Sequence, residues 1–399
     1  MILKATSPIK QIFFHFFHNT KLLSIRNCDI ETMKYKNIYV AATSQHIGKT
    51  TSTLGIVSAF MKKGLKVGYC KPVGQKFLDI QNLRVDKDTI LFADLINFEM
   101  IPEIHSPVIL GKGATEVYLD NPEKYPLDEK ILKAEKVLSV TNDIVIYEGT
   151  GHPGVGSVAD LSNARVAKLL NAGVVIIVEG GIGNTIDLLN LSASLFREQE
   201  VPIIGVIINK VIPEKANKVR KYVKKWLDKK GLPLLGILPY DKTLAYPLIK
   251  TIAHSVEGTI TYNADQADNK IENILAGSLI DLKELRSSED LLLVVSTRAL
   301  NDAINKIKSI SVSVGFTHSP LSGIVATGQG VIDFSTLNYI EEFKIPLIRT
   351  DLDTYGSVIK ISNIEVKINR STAWKIYKAI RLIEDNVNLE KLLIEVPER

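Results

Sequence analysis

The segment from Ile38 to Thr51, IYVAATSQHIGKTT, constrains the fold more than any other part of this chain. It opens with an uninterrupted apolar run, which suits a strand buried on both faces, and such strands belong to sheets covered by helices on both sides. The run leads into a loop of small and polar residues and then Gly48-Lys49-Thr50, which reads as the start of a helix. Thr43 to Thr50 keeps the spacing GxxxxGK[ST], except that Thr43 stands at the first glycine position. In a loop of this kind the backbone N–H groups of Thr43, Ser44, Gln45, His46, Ile47 and Gly48 cradle phosphate at the helix N-terminus. Lys49 neutralises the outer phosphates, the Thr50 hydroxyl reaches Mg²⁺, and Thr51 continues the helix. The sequence therefore implies a bound nucleotide and leaves open what is done with it. His46 reads as a loop residue facing solvent.

The order of elements agrees with a doubly wound α/β fold. Thr51 to Lys63 has helical spacing and stops at Gly64, Val67 to Cys70 is a second strand, and residues 76 to 140 read as an insertion over the strand ends. Strands are expected at 143–147, 174–178, 203–208 and 232–238, with helices at 157–170, 186–196 and 214–229 between them, so the ligand site should lie at the carboxyl ends of a mostly parallel sheet. Beyond about Tyr240 a second, smaller α/β series follows. The expected organisation is an N-terminal extension over 1–32, a nucleotide-binding domain over 33–250, a linker over 251–275 and a second domain over 276–390.

Composition adds exclusions. The chain has 399 residues, enough for two cores, and only two cysteines, Cys28 and Cys70, so neither a disulfide framework nor a zinc cluster is expected. A net charge of +5 is mild for this length. The basic helix 214–229 carries Val219, Tyr222, Val223 and Trp226 as one apolar stripe, so its lysines read as the solvated back of a packed helix. A cytoplasmic protein without nucleic-acid or membrane partners is the expectation. Positions 1 to 28 contain no Asp or Glu. That leader is either an organelle presequence or an upstream extension, with Met33 as the start.

Several strand-end residues are candidates for the chemistry. Glu148 ends the strand IVIYE beside the phosphate loop and is the carboxylate best placed for Mg²⁺, the alternative being a strand-end charge in water. Asp86 and Asp88 are weaker candidates, because paired acids in a loop are usually solvated. Lys71 ends the second strand and suits a transferring phosphoryl group or an anionic substrate, unless it points into solvent. Asn209 ends the strand IIGVIIN, where its amide suits either a purine edge or a turn cap.

In order, ATSQHIGKTT, CKPVGQ, Asp88-Thr-Ile-Leu, IYEGTGHPGVGSV, VIIVEGGIG and GVIINKV resemble the dethiobiotin synthetase-like P-loop proteins, and especially the N-terminal half of long phosphate acetyltransferases. STRALNDAI, LSGIVATGQG and IPLIRTDLDTYGSV resemble the DRTGG domain that follows it there, although Thr297-Arg298 and Thr327-Gly328-Gln329 depart from the name-giving residues. The family loop is typically GTDTxVGKT, so Thr43 is the family residue and Ala42 replaces a glycine. The resemblance implies Mg-ATP, with Lys49 on the phosphates and Thr50, Asp88 and Glu148 at the metal. It also implies Lys71 at the substrate, Asn209 at adenine and a homodimer. Two departures stand at the substrate side: the family's KPVxSG is Lys71-Pro-Val-Gly-Gln75, and EGAGG is Glu148-Gly-Thr-Gly-His152.

Within these residues no acetyltransferase catalytic domain is expected, so the chain should not transfer acetyl groups by itself. Three functions follow. The first is a Mg-ATP-binding regulator or partner of acetyl-phosphate metabolism with a regulatory second domain and an unidentified small-molecule ligand. The second is an ATP-dependent carboxylase or ligase acting on a small amine or carboxylate. The third is an interaction scaffold with a relic loop, against which the intact Lys49, Thr50 and Glu148 count.

Overall fold

The computed structural model describes residues 34–80, 83–277, 290–315, 318–364, 366, 368 and 372–392. The extension expected over 1–32, with Cys28, and the start expected at Met33 lie outside them. The chain forms two compact units, one from residues up to Asp241 together with those from Ile368 onward, the other Lys242–Lys367. No helix among the described residues is long and apolar enough to cross a membrane.

The strands, in chain order, are β1 Asn37–Ala42, β2 Val67–Cys70, β3 Val73–Gly74, β4 Phe77–Ile80, β5 Leu83–Asp86, β6 Val108–Ile109, β7 Ile144–Glu148, β8 Gly173–Glu179, β9 Ile203–Val211 and β10 Leu234–Pro239 in the first unit. The second unit carries β11 Thr259–Tyr262, β12 Asn273–Ala276, β13 Leu291–Ser296, β14 Leu321–Thr327 and β15 Leu347–Thr350.

The first unit is a six-stranded sheet in the order β10-β9-β8-β1-β7-β2, parallel throughout. Every residue of β1 is buried, as its apolar run requires. Its side chains alternate between two cores. Ile38, Val40 and Ala42 face one with the helix Lys49–Lys62, and Tyr39 and Ala41 face the other with Leu189, Phe196, Val219 and Val223. The helix after β1 thus lies on one face, whereas those after its neighbours β7 and β8 lie on the other. Chains leaving adjacent strand ends toward opposite faces open a crevice there, the switch point at which such sheets bind ligands.

Residues 76 to 140 carry the hairpin β4–β5 and the helices Lys87–Ile96 and Leu127–Thr141. The helix expected over 157–170 is a short turn Ser157–Ala159 and then the helix Asn163–Leu169, capped by Ser162 through its bond from the Arg165 N–H. On the basic helix Ala216–Lys229 the buried stripe is Val219, Val223 and Leu227, whereas Tyr222 is 45% exposed, because the buried residues repeat every four positions.

The second unit is a five-stranded sheet in the order β11-β15-β14-β13-β12, with β11 antiparallel to β15 and the other pairs parallel. The segment expected as a linker over 251–275 carries β11, β12 and most of the helix Ile249–Ser255, whose Ile249 and Ile252 are buried in this unit's core.

The C-terminal helix Ala373–Asn386, expected within the second domain, packs in the first unit. Its Ile376, Ala379, Ile380 and Ile383 share a core with Leu54, Ile56 and Phe60. Ile383 occupies the notch left by Gly55, where an added Cβ would come within 2.3 Å of it. Lys62 pairs with Glu384, and Asn388 N donates to the Leu235 carbonyl at 2.9 Å.

Candidate functional site

The loop between β1 and the helix Lys49–Lys62 stands at the carboxyl end of the sheet. Thr43 is buried and its N–H donates to the Ile177 carbonyl at 3.0 Å, which fixes the start of the loop on β8. Ser44 is half-buried, Gln45 and His46 are exposed, and Ile47 is buried. His46 adopts φ 59° and Gly48 φ 95°, the left-handed backbone that turns N–H groups inward. The space beside Gly48 is also closed, since a Cβ there would lie 2.2 Å from Asn209 Nδ2. The hydroxyls of Thr43 and Ser52 are buried and find no hydrogen-bond partner among the described residues.

Asn209 lies near the carboxyl end of β9 and is buried. Its Nδ2 donates to the Ile47 carbonyl of the loop at 2.7 Å and its Oδ1 accepts from Lys210 N of its own strand at 2.8 Å, so the amide ties β9 to the loop. Lys210 Nζ donates to the His46 carbonyl at 2.8 Å. Lys49 Nζ donates to the Gly151 carbonyl at 2.7 Å, across to the segment after β7.

Glu148 at the end of β7 is 1% exposed, not a strand-end charge in water. It accepts from Thr50 Oγ1 at 2.9 Å and from Tyr69 OH at 3.5 Å. Lys71, 6% exposed, lies among carboxylates: it hydrogen-bonds Asp88 and stands 3.5 Å from Asp86 and 3.6 Å from Glu148. Asp86 and Asp88 are not a solvated loop pair. Asp86 caps the helix Lys87–Ile96, accepting from Asp88 N at 2.9 Å, and Asp88 lies in its first turn.

One ammonium thus faces three carboxylates in a nearly dry site. Burial opposes the charge on Lys71, but Asp88, Glu148 and Asp86 outweigh it and hold the lysine above its ordinary pKa. Burial raises the pKa of Glu148, with Lys71 opposing and Asp88 adding to the rise. Asp86 is likewise raised by burial, against the pull of Lys71. The excess of carboxylate suits a further cation, and the oxygen donors Thr50, Asp88 and Glu148 suit a hard divalent one.

The structure therefore gathers Thr43 to Thr51, Lys71, Asp88, Glu148 and Asn209 at one end of one sheet. Two contributors were not expected from sequence. Asn163, hidden inside an expected helix, holds the backbone after Glu148, and Thr150 Oγ1 donates to the Val73 carbonyl. The fragment Leu161-Ser162-Asn163, a cap residue ahead of a new helix, was the available signal.

A six-stranded parallel sheet, covered on both faces and carrying this loop at its switch point, defines a P-loop nucleotide-binding protein. A family profile described as an AAA domain, AAA_26, matches residues 36–247, more than half of the chain, and the chain belongs to that family. The phosphate acetyltransferase of Synechocystis is 23% identical over 372 residues, covering 90% of this chain and 51% of that protein. The ATP-dependent dethiobiotin synthetase BioD of Clostridium kluyveri is 30% identical over 184 residues, covering 44% of this chain and 74% of that protein. The chain spans about half the length of that phosphate acetyltransferase. Among solved structures, the cell division protein MinD of Aquifex aeolicus aligns with a TM-score of 0.35 at 16% identity, covering 52% of this chain and 84% of that one.

Proposed function

We propose that this chain binds Mg-ATP in its first unit and uses the second, DRTGG-like unit to regulate or report on that binding, as a nucleotide-responsive regulator or partner in acetyl-phosphate metabolism. The observation that carries the ATP reading is the Thr50–Glu148–Lys71 constellation beneath a phosphate loop whose Lys49 is already turned toward the same strand ends. The regulatory part rests on the second unit and on the phosphate acetyltransferase that matches across both units.

The residues fit magnesium. Among the described residues no group of three His, Cys, Asp or Glu side chains is set to hold a metal alone. Magnesium asks for less, since it takes one or two carboxylates and completes its octahedron with phosphate, water and an occasional hydroxyl. Thr50, Glu148 and Asp88 would hold it, and when bound it would neutralise charge on the outer phosphates. Lys49 offers up to three N–H donors to phosphate oxygens, and Lys71, fixed as a cation by its carboxylates, stabilises negative charge on the acceptor side. Lys71 is buried and Lys49 half-buried, which limits the water that would screen them.

A second reading, an ATP-dependent carboxylase or ligase acting on a small amine or carboxylate, is favoured by the dethiobiotin synthetase likeness and by Lys71 standing next to the metal candidates. ADP release measured with and without bicarbonate, a panel of small amines and acids, and acetyl phosphate separates the two. Regulation predicts slow basal turnover that the acceptors do not stimulate. Stimulation that Lys71→Ala abolishes would establish the second reading in its place. A homodimer, and a substrate beyond the nucleotide, belong to the same proposal and are read from sedimentation and from that panel.

A further inference from the structure

Asn163 is 3% exposed and uses its whole amide on one short segment. Its Oδ1 accepts from Tyr39 OH at 2.6 Å and from Thr150 N at 3.1 Å. Its Nδ2 donates to the Thr150 carbonyl at 2.8 Å and to the His152 carbonyl at 2.6 Å. A primary amide has two N–H donors and two acceptor lone pairs, so its capacity is fully used. Three of the four bonds go to the backbone that follows Glu148, and they straddle Gly151, whose carbonyl receives Lys49 Nζ at 2.7 Å. Gly151 takes φ 62°, a backbone that a glycine adopts without strain, and that conformation lies between the two carbonyls the amide clamps.

The anchor of Asn163 is itself rigid. It is the first residue of the helix Asn163–Leu169, behind the Ser162 cap, and Tyr39 comes from the central strand β1, whose residues are all buried. Position is thereby transmitted from the sheet through Tyr39 and Asn163 to the Thr150–His152 backbone, and from its Gly151 carbonyl to the ammonium of Lys49.

We propose that Asn163 is a positioning residue for Lys49: by clamping the peptides on both sides of Gly151 it sets where the Lys49 ammonium stands when a nucleotide phosphate enters. Lys49 has four single bonds to rotate about, and a carbonyl held at one point selects among its rotamers before the ligand arrives. A cation placed in advance spares the ligand the cost of ordering it. The inference rests on the reading of the loop as a nucleotide site and goes beyond it by assigning a residue outside the loop.

The test is a double-mutant cycle on the full chain, with a fluorescent ADP analogue and Mg²⁺ as the probe. Asn163→Ala removes the clamp. Asn163→Asp keeps the shape and the accepting oxygen but puts a second oxygen in place of the amide nitrogen that donates to the Thr150 and His152 carbonyls. Each should weaken probe binding about tenfold while melting remains cooperative. In a Lys49→Ala background, where binding rests on the loop N–H groups, neither should weaken it further. Equal losses in both backgrounds would mean a general structural role and would overturn the proposal, as would unchanged affinity in the single variants. A protein in which neither variant folds would overturn it too, since the amide would then be a requirement of the fold. Failure of the wild type to bind the probe would instead sink the nucleotide reading itself.

Discussion

The C-terminal helix offers the most quantitative test of the fold, through Ile383→Ala. Ile383 is fully buried and packs into the notch at Gly55 on the helix that begins with Lys49 and Thr50. Removing its outer methyl and methylene groups forfeits about 0.8 kcal/mol for each carbon in transfer free energy. The cavity term then depends on how far the surroundings collapse, and measured Ile→Ala losses run from about 2 to 5 kcal/mol. Here one wall is helix backbone at a glycine and the others are the rigid core residues Leu54, Ile56 and Phe60, so collapse is limited and a loss of about 3–4 kcal/mol is expected. The chain has two tryptophans, Trp226 and Trp374, and both belong to the first unit. Urea unfolding followed by tryptophan fluorescence therefore reports that unit's transition. A loss below about 1 kcal/mol would refute the claim that the C-terminal helix is part of the first unit's core, because a docked surface helix would give such a value.

Other positions give further tests. Gly48→Ala should both abolish nucleotide binding, measured by calorimetry, and lower the melting temperature, since its φ of 95° and the Asn209 amide 2.2 Å from a new Cβ both oppose the substitution. Lys71→Ala leaves three carboxylates without their cation and should cost about 3–5 kcal/mol in urea unfolding, less if Mg²⁺ at millimolar concentration takes the vacated charge, so the loss should shrink on adding the metal. Lys375 is fully enclosed, and burial lowers its pKa from 10.5 to about 8. The unfolded chain then binds more protons than the folded one between those values, so stability should rise with pH from about 8 to 10.5, by up to about 3 kcal/mol relative to Lys375→Met. A difference between the two proteins that stays flat across that range would contradict it.

What sequence could and could not reveal follows from the range of the interactions. β1 and its loop were legible because an apolar strand, a tight loop and a helix start are all local. Lys71, Glu148 and Asn209 could be named because each stands at or near the carboxyl end of an apolar strand, and parallel topology sends those ends to one edge. The partnership of Asp86 and Asp88 with Lys71 was not legible, since it depends on the β4–β5 hairpin returning Asp86 to cap a helix beside β2. Asn163 was hidden for another reason. Helical spacing over 157–170 looks continuous, and nothing in apolar periodicity marks the break at Leu161 and Ser162. The C-terminal run reads from sequence as a charged helix, and its apolar residues at 376, 380 and 383 do not say which core they cover. Such a face carries no address, so its return to the first unit emerged only from the folded chain.

In the proposed function the loop at Thr43–Thr51 holds the phosphates of a nucleotide, with Lys49 in contact. Thermal or urea unfolding in the presence of Mg-ATP tests it most directly. At one hundred times its dissociation constant the ligand should add about 2.7 kcal/mol to the stability of the first unit, and Lys49→Ala should remove most of that gain while leaving the ligand-free stability nearly unchanged. Stability that does not respond to Mg-ATP in reversible unfolding, or a response that survives Lys49→Ala intact, would contradict it.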